Sequence, residues 1–240
     1  IINIQPDETV GRHSLANIWG AYAMDKASNA NAISEASEFK KRLYFKYVSA
    51  FNHIDKLRPL LLNVLGNIKV GNVNRIKAEG KRILLIDDEA SKGWGTVLRK
   101  ILKTSSGEDF VVINEKVKDF DALSSESKRI IETQKFDLYL VDLRLNGLEE
   151  DENLNTAAFS GMKVLKKIKS LNEGNQVIVF TASNKVWNLK ALLDAGADDY
   201  YMKESPEYNF SKTISEQNYL DFKNNVVKSF DRSYLRGLFT

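Results

Sequence analysis

KRILLIDDEA, residues 81–90, runs four apolar side chains, Ile83 to Ile86, directly into three carboxylates, Asp87, Asp88 and Glu89. So short an apolar run suits a strand buried on both faces of a sheet. Adjacent carboxylates repel, and in a concave, partly desolvated place they need a cation or shared protons to be tolerated. The acids are therefore either ordinary solvated loop groups or one wall of a site that holds something positive.

Working outward from this stretch, short apolar runs alternate with amphipathic segments. The strand-like runs are ILLI (83–86), FVVIN (110–114), FDLYLVDL (136–143), QVIVFTA (176–182) and DDYYMK (198–203). Helix-like segments follow them at Trp94 to Leu102, Ser125 to Gln134, Met162 to Leu171, Val186 to Ala195 and Gln217 to Phe230. Five strands alternating with five helices predict an α/β fold, a doubly wound five-stranded parallel sheet covered on both faces. In such sheets ligands bind beyond the carboxyl ends of the strands, where the strand order reverses.

The preceding residues read differently. Residues 1–80 carry 11 Lys/Arg against 7 Asp/Glu, a net of +4, whereas residues 81–204 carry 19 against 21, a net of −2. Gly71 and Gly80 in GNVNRIKAEGKR mark a turn and linker, so a domain boundary is placed there. Within 1–80, Ser14 is a candidate N-cap, and Leu15, Ile18, Trp19 and Tyr22 fall on one helical face. A longer helix is predicted from about Ser34, with Phe39, Leu43, Tyr47, Phe51 and Ile54 as its stripe and Pro59 at its end. Such wide apolar faces must pack on each other, on the next domain or on a second chain. The expected division is a helical N-terminal region at 1–80 for dimerisation or output, the α/β domain at 81–230 and a C-terminal tail at 231–240.

Composition excludes several classes. There are no cysteines, hence no disulfide framework or thiolate chemistry. No apolar run approaches the roughly 20 residues that span a bilayer, and no signal-peptide pattern opens the chain. A cytoplasmic location and no membrane partner are expected. The net charge of +3 over 240 residues argues against nucleic acid as a partner. The basic patch EFKKRLYFK (38–46) reads first as a packing helix with a solvated face. The chain starts at Ile1 and not Met, which suggests a fragment of a longer protein with an output domain elsewhere.

The carboxyl ends of the predicted strands yield a short set: Asp87 and Asp88, then Asp142, Thr181 and Lys203. Three carboxylates make a hard-oxygen site suited to Mg²⁺. The ion would offset their repulsion and leave one carboxylate as a nucleophile toward phosphorus, with Lys203 and Thr181 holding the phosphoryl oxygens.

LLIDDE, LYLVDLRL, IVFTAS and DDYYMK, in this order, resemble the acidic pair, phosphoacceptor strand, conserved hydroxyl and lysine strand of the receiver domain of two-component response regulators. The resemblance covers residues 81–230 and implies a flavodoxin-like (βα)5 receiver. It also implies Asp142 as phosphoacceptor, with Mg²⁺ held by Asp88 and Asp142, by Asp87 through water, and by the backbone carbonyl of Arg144. Thr181 and Lys203 would bind the phosphoryl group, and Tyr200 matches the switch aromatic. Arg144 and Ser183 occupy positions that tune hydrolysis. The implied partner is a sensor histidine kinase or phosphotransfer protein, with homodimerisation through the N-terminal helices or the face of the fourth and fifth strands. The implied protein is a bacterial-type phosphoprotein whose only chemistry is its own phosphorylation and dephosphorylation.

Departures from the family pattern are Glu204 in place of proline after the lysine, with Pro206 two further on, a long acidic NGLEEDENLNTAAFSG (146–161), and an extended segment from Asn114 to Ser127. They keep open a second reading, a receiver-fold interaction module not regulated by phosphorylation. An aspartate-nucleophile phosphatase is excluded by spacing, since its Asp-x-Asp is here an adjacent pair. No Walker-type loop occurs. His53 in NHIDKLRPLL lacks the spacing of a kinase phosphohistidine and reads as a surface residue, and His13 has no metal-site companions.

Overall fold

The computed structural model describes residues 12–33, 75–146, 158–181, 186–204 and 212–239. Five strands form one parallel sheet: β2 (Ile83–Ile86), β4 (Phe110–Ile113), β5 (Leu138–Asp142), β6 (Val177–Thr181) and β7 (Asp199–Met202), in the spatial order β4-β2-β5-β6-β7. Counting only these strands the order is 2-1-3-4-5, the doubly wound order whose reversal lies between the first and third strands. Here that point falls between β2 and β5.

Period-two alternation decides which residue faces which layer. Ile83, Leu85, Leu138, Leu140, Ile178, Phe180 and Tyr201 enter one buried cluster; Leu84, Ile86, Tyr139, Val141, Val177 and Val179 enter the other. Helices α2 (Trp94–Ile101) and α6 (Lys212–Arg232) supply Trp94, Val97, Leu98 and Ile101, and Tyr219, Phe222 and Val226, to the first. Helices α3 (Ser125–Thr133), α4 (Ser160–Leu171) and α5 (Val186–Asp194) line the second with Ile131, Val164, Leu165, Ile168 and Leu192. The five predicted strands and helices all form, and α6 begins at Lys212, five residues before the expected Gln217.

Two features correct the sequence reading. The linker contains a strand, β1 (Ile76–Ala78), that pairs in parallel with β3 (Leu102–Thr104) as a separate two-stranded sheet. Three residues are too few for alternation to stand out, although Ile76 and Ala78 are buried and Lys77 is exposed as a strand requires. The second correction concerns α1 (Arg12–Ser28), which starts two residues before Ser14 and so excludes it as N-cap. Its buried side is Asn17, Gly20, Ala21, Met24, Asp25 and Ser28, with Trp19 also buried, while Ile18 and Tyr22 are only half-buried. Small residues turn inward because α1 lies close against α2 and α6. A Cβ on Gly20 would come within 2.8 Å of the Trp94 ring and 2.9 Å of the Glu204 carbonyl. Of the three packing partners open to the N-terminal helices, α1 takes the α/β domain. The predicted helix from Ser34, Pro59 and His53 lie outside the described residues.

Other local structure follows from the residues in place. Ser124 caps α3 by accepting from the Ser127 amide at 3.2 Å. Glu115 receives the hydroxyls of Ser124 and Ser127 and the Ser124 amide, so the extended segment from Asn114 to Ser127 is a bonded turn. Burial pushes the Glu115 carboxyl up, but these hydrogen bonds outweigh it and hold it below the usual range. At the other end, a short turn at Ser233–Gly237 folds back under the sheet, where Arg236 donates to the Phe136 carbonyl and its own carbonyl accepts from Asn172 at 3.0 Å.

Candidate functional site

Asp87 and Asp88 follow β2 immediately, Asp142 ends β5, Thr181 ends β6 and Lys203 follows β7. Because the strands are parallel and in register, these positions share one sheet edge, with the acids astride the point where the order reverses. All five side chains are buried. One carboxylate oxygen from each of Asp87, Asp88 and Asp142 lies within 4.8 Å of the others.

Lys203 meets two of them, Asp142 and Asp87. Its Nζ lies 2.9 Å from Asp142 Oδ2 and 3.1 Å from Asp87 Oδ2, and its backbone amide donates to the Thr181 carbonyl at 2.7 Å. Burial draws the ammonium's pKa down, but Asp142 and Asp87 outweigh it and hold it above the ordinary lysine value. Lys203 is therefore charged at neutral pH.

The backbone around the acids is held on several sides. The Asp87 amide donates to Ile113 on β4 at 3.1 Å, and Asp87 Oδ1 accepts from the Glu89 amide at 2.8 Å. With its amide nitrogen turned inward, Asn114 donates to the carbonyls of Asp87 at 3.1 Å and Asp88 at 2.7 Å. Glu89 is also buried and lies 3.7 Å from Lys116. Beyond Asp142, Leu143 donates to the Phe180 carbonyl, and the Leu145 amide donates to Ser160 Oγ at 2.7 Å. The start of α4 crosses this loop so closely that a Cβ on Gly161 would stand 1.9 Å from the Asp142 carbonyl oxygen.

The remaining expected residues are more dispersed. Arg144 lies two residues past Asp142 with its guanidinium 5.0 Å from the Phe159 ring centroid. Tyr200 is half-buried against the α3–α5 side of the sheet, opposite its neighbour Tyr201. Ser183, Pro206 and the acidic insertion at 147–157 lie outside the described residues.

Two participants had no signal in the sequence. Asn17 on α1 accepts with Oδ1 from Lys203 Nζ at 2.7 Å and from Trp94 Nε1 at 3.0 Å, and is 3% exposed. Trp94 places its ring 5.1 Å from the same ammonium, in cation–π range. Asn17 is 186 residues from Lys203, a separation at which no local pattern can link the two.

The donor set fits a small divalent cation. Three buried carboxylates come together, two of them in contact with Lys203, and hard oxygens in this number suit Mg²⁺.

Residues 83–215, more than half of the chain, match the family model described as the response regulator receiver domain. The chain belongs to that family. Among solved structures, this receiver is similar to a CheY-like receiver domain protein from Methanospirillum hungatei JF-1, at 22% identity over 64% of this chain and 95% of the other, with a TM-score of 0.41. It is also similar to a receiver domain protein from Clostridium thermocellum, at 19% identity over 65% and 98% of the two chains, TM-score 0.41. NtrX from Brucella abortus aligns at 17% identity over 62% of this chain and 27% of its own, TM-score 0.39. No curated protein matches the chain. Among the described residues, no helix is long and apolar enough to cross a membrane.

Proposed function

We propose that this receiver takes a phosphoryl group onto Asp142 from the phosphohistidine of a sensor kinase or phosphotransfer protein. The observation that carries the reading is the buried set of Asp87, Asp88 and Asp142 at the carboxyl edge of the sheet, with Lys203 in contact with Asp87 and Asp142. An Asp142 carboxylate oxygen attacks phosphorus, the P–O bond forms, the P–N bond to imidazole breaks, and the imidazole leaves with the electron pair. Asp87, Asp88 and Asp142, with the Arg144 carbonyl, would hold Mg²⁺, which supplies charge stabilisation to the transferring group. Lys203 bonds the phosphoryl oxygens by charge and Thr181 by its hydroxyl. Tyr200 follows Thr181 by turning inward, and Arg144 and Ser183 set the lifetime of the acyl phosphate. This biases two pre-existing states, which a partner or second copy reads.

Incubation with Mg²⁺ and acetyl phosphate, followed by intact mass, tests the assignment. A single Mg²⁺-dependent phosphate adduct is expected, and it disappears in Asp142→Asn. An adduct that persists in Asp142→Asn would move the phosphoacceptor elsewhere. No adduct, together with no Mg²⁺ response of Trp94 fluorescence, would leave a receiver-fold interaction module.

A further inference from the structure

The Lys203 ammonium meets three oxygens: it donates hydrogen bonds to Asn17 Oδ1 at 2.7 Å and Asp87 Oδ2 at 3.1 Å, and pairs by charge with Asp142 Oδ2 at 2.9 Å. Two come from the receiver's own strands. The third comes from α1, outside the residues that match the family model. We propose that Asn17 is a positioning residue for Lys203, and that α1 is seated on the site as a segment whose hold loosens when Asp142 carries a phosphoryl group. The second half rests on the phosphoacceptor reading above.

A phosphoryl group on Asp142 turns its carboxylate into an acyl phosphate, so the charge that pairs with the ammonium there moves outward to the phosphoryl oxygens and Lys203 is drawn after it. Of the two hydrogen-bond acceptors it has, Asn17 is the neutral amide, and an amide oxygen holds an ammonium less strongly than a carboxylate does. Lys203 therefore leaves Asn17 first. Asn17 keeps its bond from Trp94, but α1 loses a buried, charge-assisted contact to the site.

The rest of the seat explains why one bond matters there. Gly20 fits against Trp94 and the Glu204 carbonyl with no room for a side chain, and a Cβ on Gly93 would stand 3.0 Å from Ala21. The turn after α1 is fastened by Asp25, whose Oδ1 accepts from the Ala32 amide at 2.7 Å. A seat of close backbone approaches cannot slide to recover a lost contact. A ligand that favours the unlatched arrangement shifts the population of docked α1 by the difference in its binding to the two states. Glu204, standing where the family pattern has proline, is part of the surface α1 covers.

Hydrogen exchange of the full chain, read by mass spectrometry on peptides from residues 12–33, tests both halves. Without phosphodonor, Asn17→Ala and Lys203→Met should each speed exchange of α1 by about tenfold, the scale of one charge-assisted hydrogen bond. The double variant should go no further than the larger single effect. Independent effects that multiply, or no effect of Lys203→Met, would overturn the link. Asn17→Leu keeps a side chain of similar size without the acceptor and should exchange as fast as Asn17→Ala; exchange as slow as in the wild type in that variant would show that the seat rests on side-chain volume and would also overturn the link.

With Mg²⁺ and acetyl phosphate, α1 should exchange about tenfold faster in the phosphorylated wild type, with no further gain in Asn17→Ala. Occupancy is read by intact mass on the same samples. Unchanged exchange at full occupancy overturns the release. Absence of any adduct overturns the phosphoacceptor reading and the release with it, while the comparison without phosphodonor still decides the Asn17–Lys203 link.

Discussion

The two faces of the sheet are built from the same alternating strands and are covered in different ways. On the α3–α5 side, each helix is the crossover that follows its strand. The α2–α6 side receives a further helix, α1, from outside the repeating pattern. Tyr200 and Tyr201 divide between the faces: Tyr201 is sealed among Trp94, Phe180 and Phe222, and burial holds its phenol well above the ordinary value. Tyr200 stays half-buried on the other side. Lys203, one pleat beyond Tyr201, reaches Trp94 and α1. Lys203 is thus connected to one layer, and the aromatic expected to move belongs to the other.

The difference can be broken from either face. The largest effect is expected at Gly161, where the α4 side touches the Asp142 loop. Gly161→Val places a Cβ where the Asp142 carbonyl stands, so unfolding should cost less by about 3 kcal/mol or more, or the chain should fail to fold. Wild-type urea stability in that variant would mean that the crossing of α4 over the loop is looser than described.

Trp94→Ala comes next. Trp94 is fully buried and edge-on to Phe180 at 5.4 Å and Tyr201 at 6.1 Å, and its loss should cost about 3–5 kcal/mol in urea unfolding. If α1 carries little of that face, the loss will fall well below this range.

Alkaline pH separates the faces chemically. Burial pushes Tyr139, on the α3–α5 side, up to about 12. A folded-state value above the unfolded value of about 10 means that the stabilisation is fully present below pH 10 and is lost as pH rises toward 12. Tyr139→Phe should flatten this decline by about 1–2 kcal/mol across that window in thermal or urea unfolding. An identical slope in the variant would place the alkaline sensitivity elsewhere, with Tyr201 the next group to test.

The smallest effect is at the start of α3. Ser124→Ala removes the cap to Ser127 and one of the Glu115 contacts, and should cost about 1 kcal/mol. No change in urea midpoint would show that Glu115, through Ser127, holds this turn alone.

The α/β class, all five sheet strands and the meeting of Asp87, Asp88, Asp142, Thr181 and Lys203 at one sheet edge were legible because each is a local or evenly repeated signal. An apolar run of four or five residues marks a doubly covered strand wherever it sits, and a carboxylate, threonine or lysine just past it must fall on the same edge once the strands are parallel. ILLI followed by DDE carries both messages in seven residues. β1 and β3 were not legible, because three residues carry too little alternation. The inward face of α1 was misread for a stronger reason. Hydrophobicity ranks Ile18 and Tyr22 above Gly20 and Asn17, but the side of a helix that approaches another backbone closely is chosen by size, and Asn17 is buried because Lys203 and Trp94 present donors to it.

The sequence by itself determined the order of strands and helices, the two-sided burial of the sheet and the edge at which the acids meet the lysine, since these follow from periodicities of two and 3.6 residues and from strand ends. Only the tertiary structure decided that α1 meets Lys203 at that edge. That contact joins residues far apart along the chain through a hydrogen bond and a glycine-sized gap, and neither leaves a periodic trace in the residues between them.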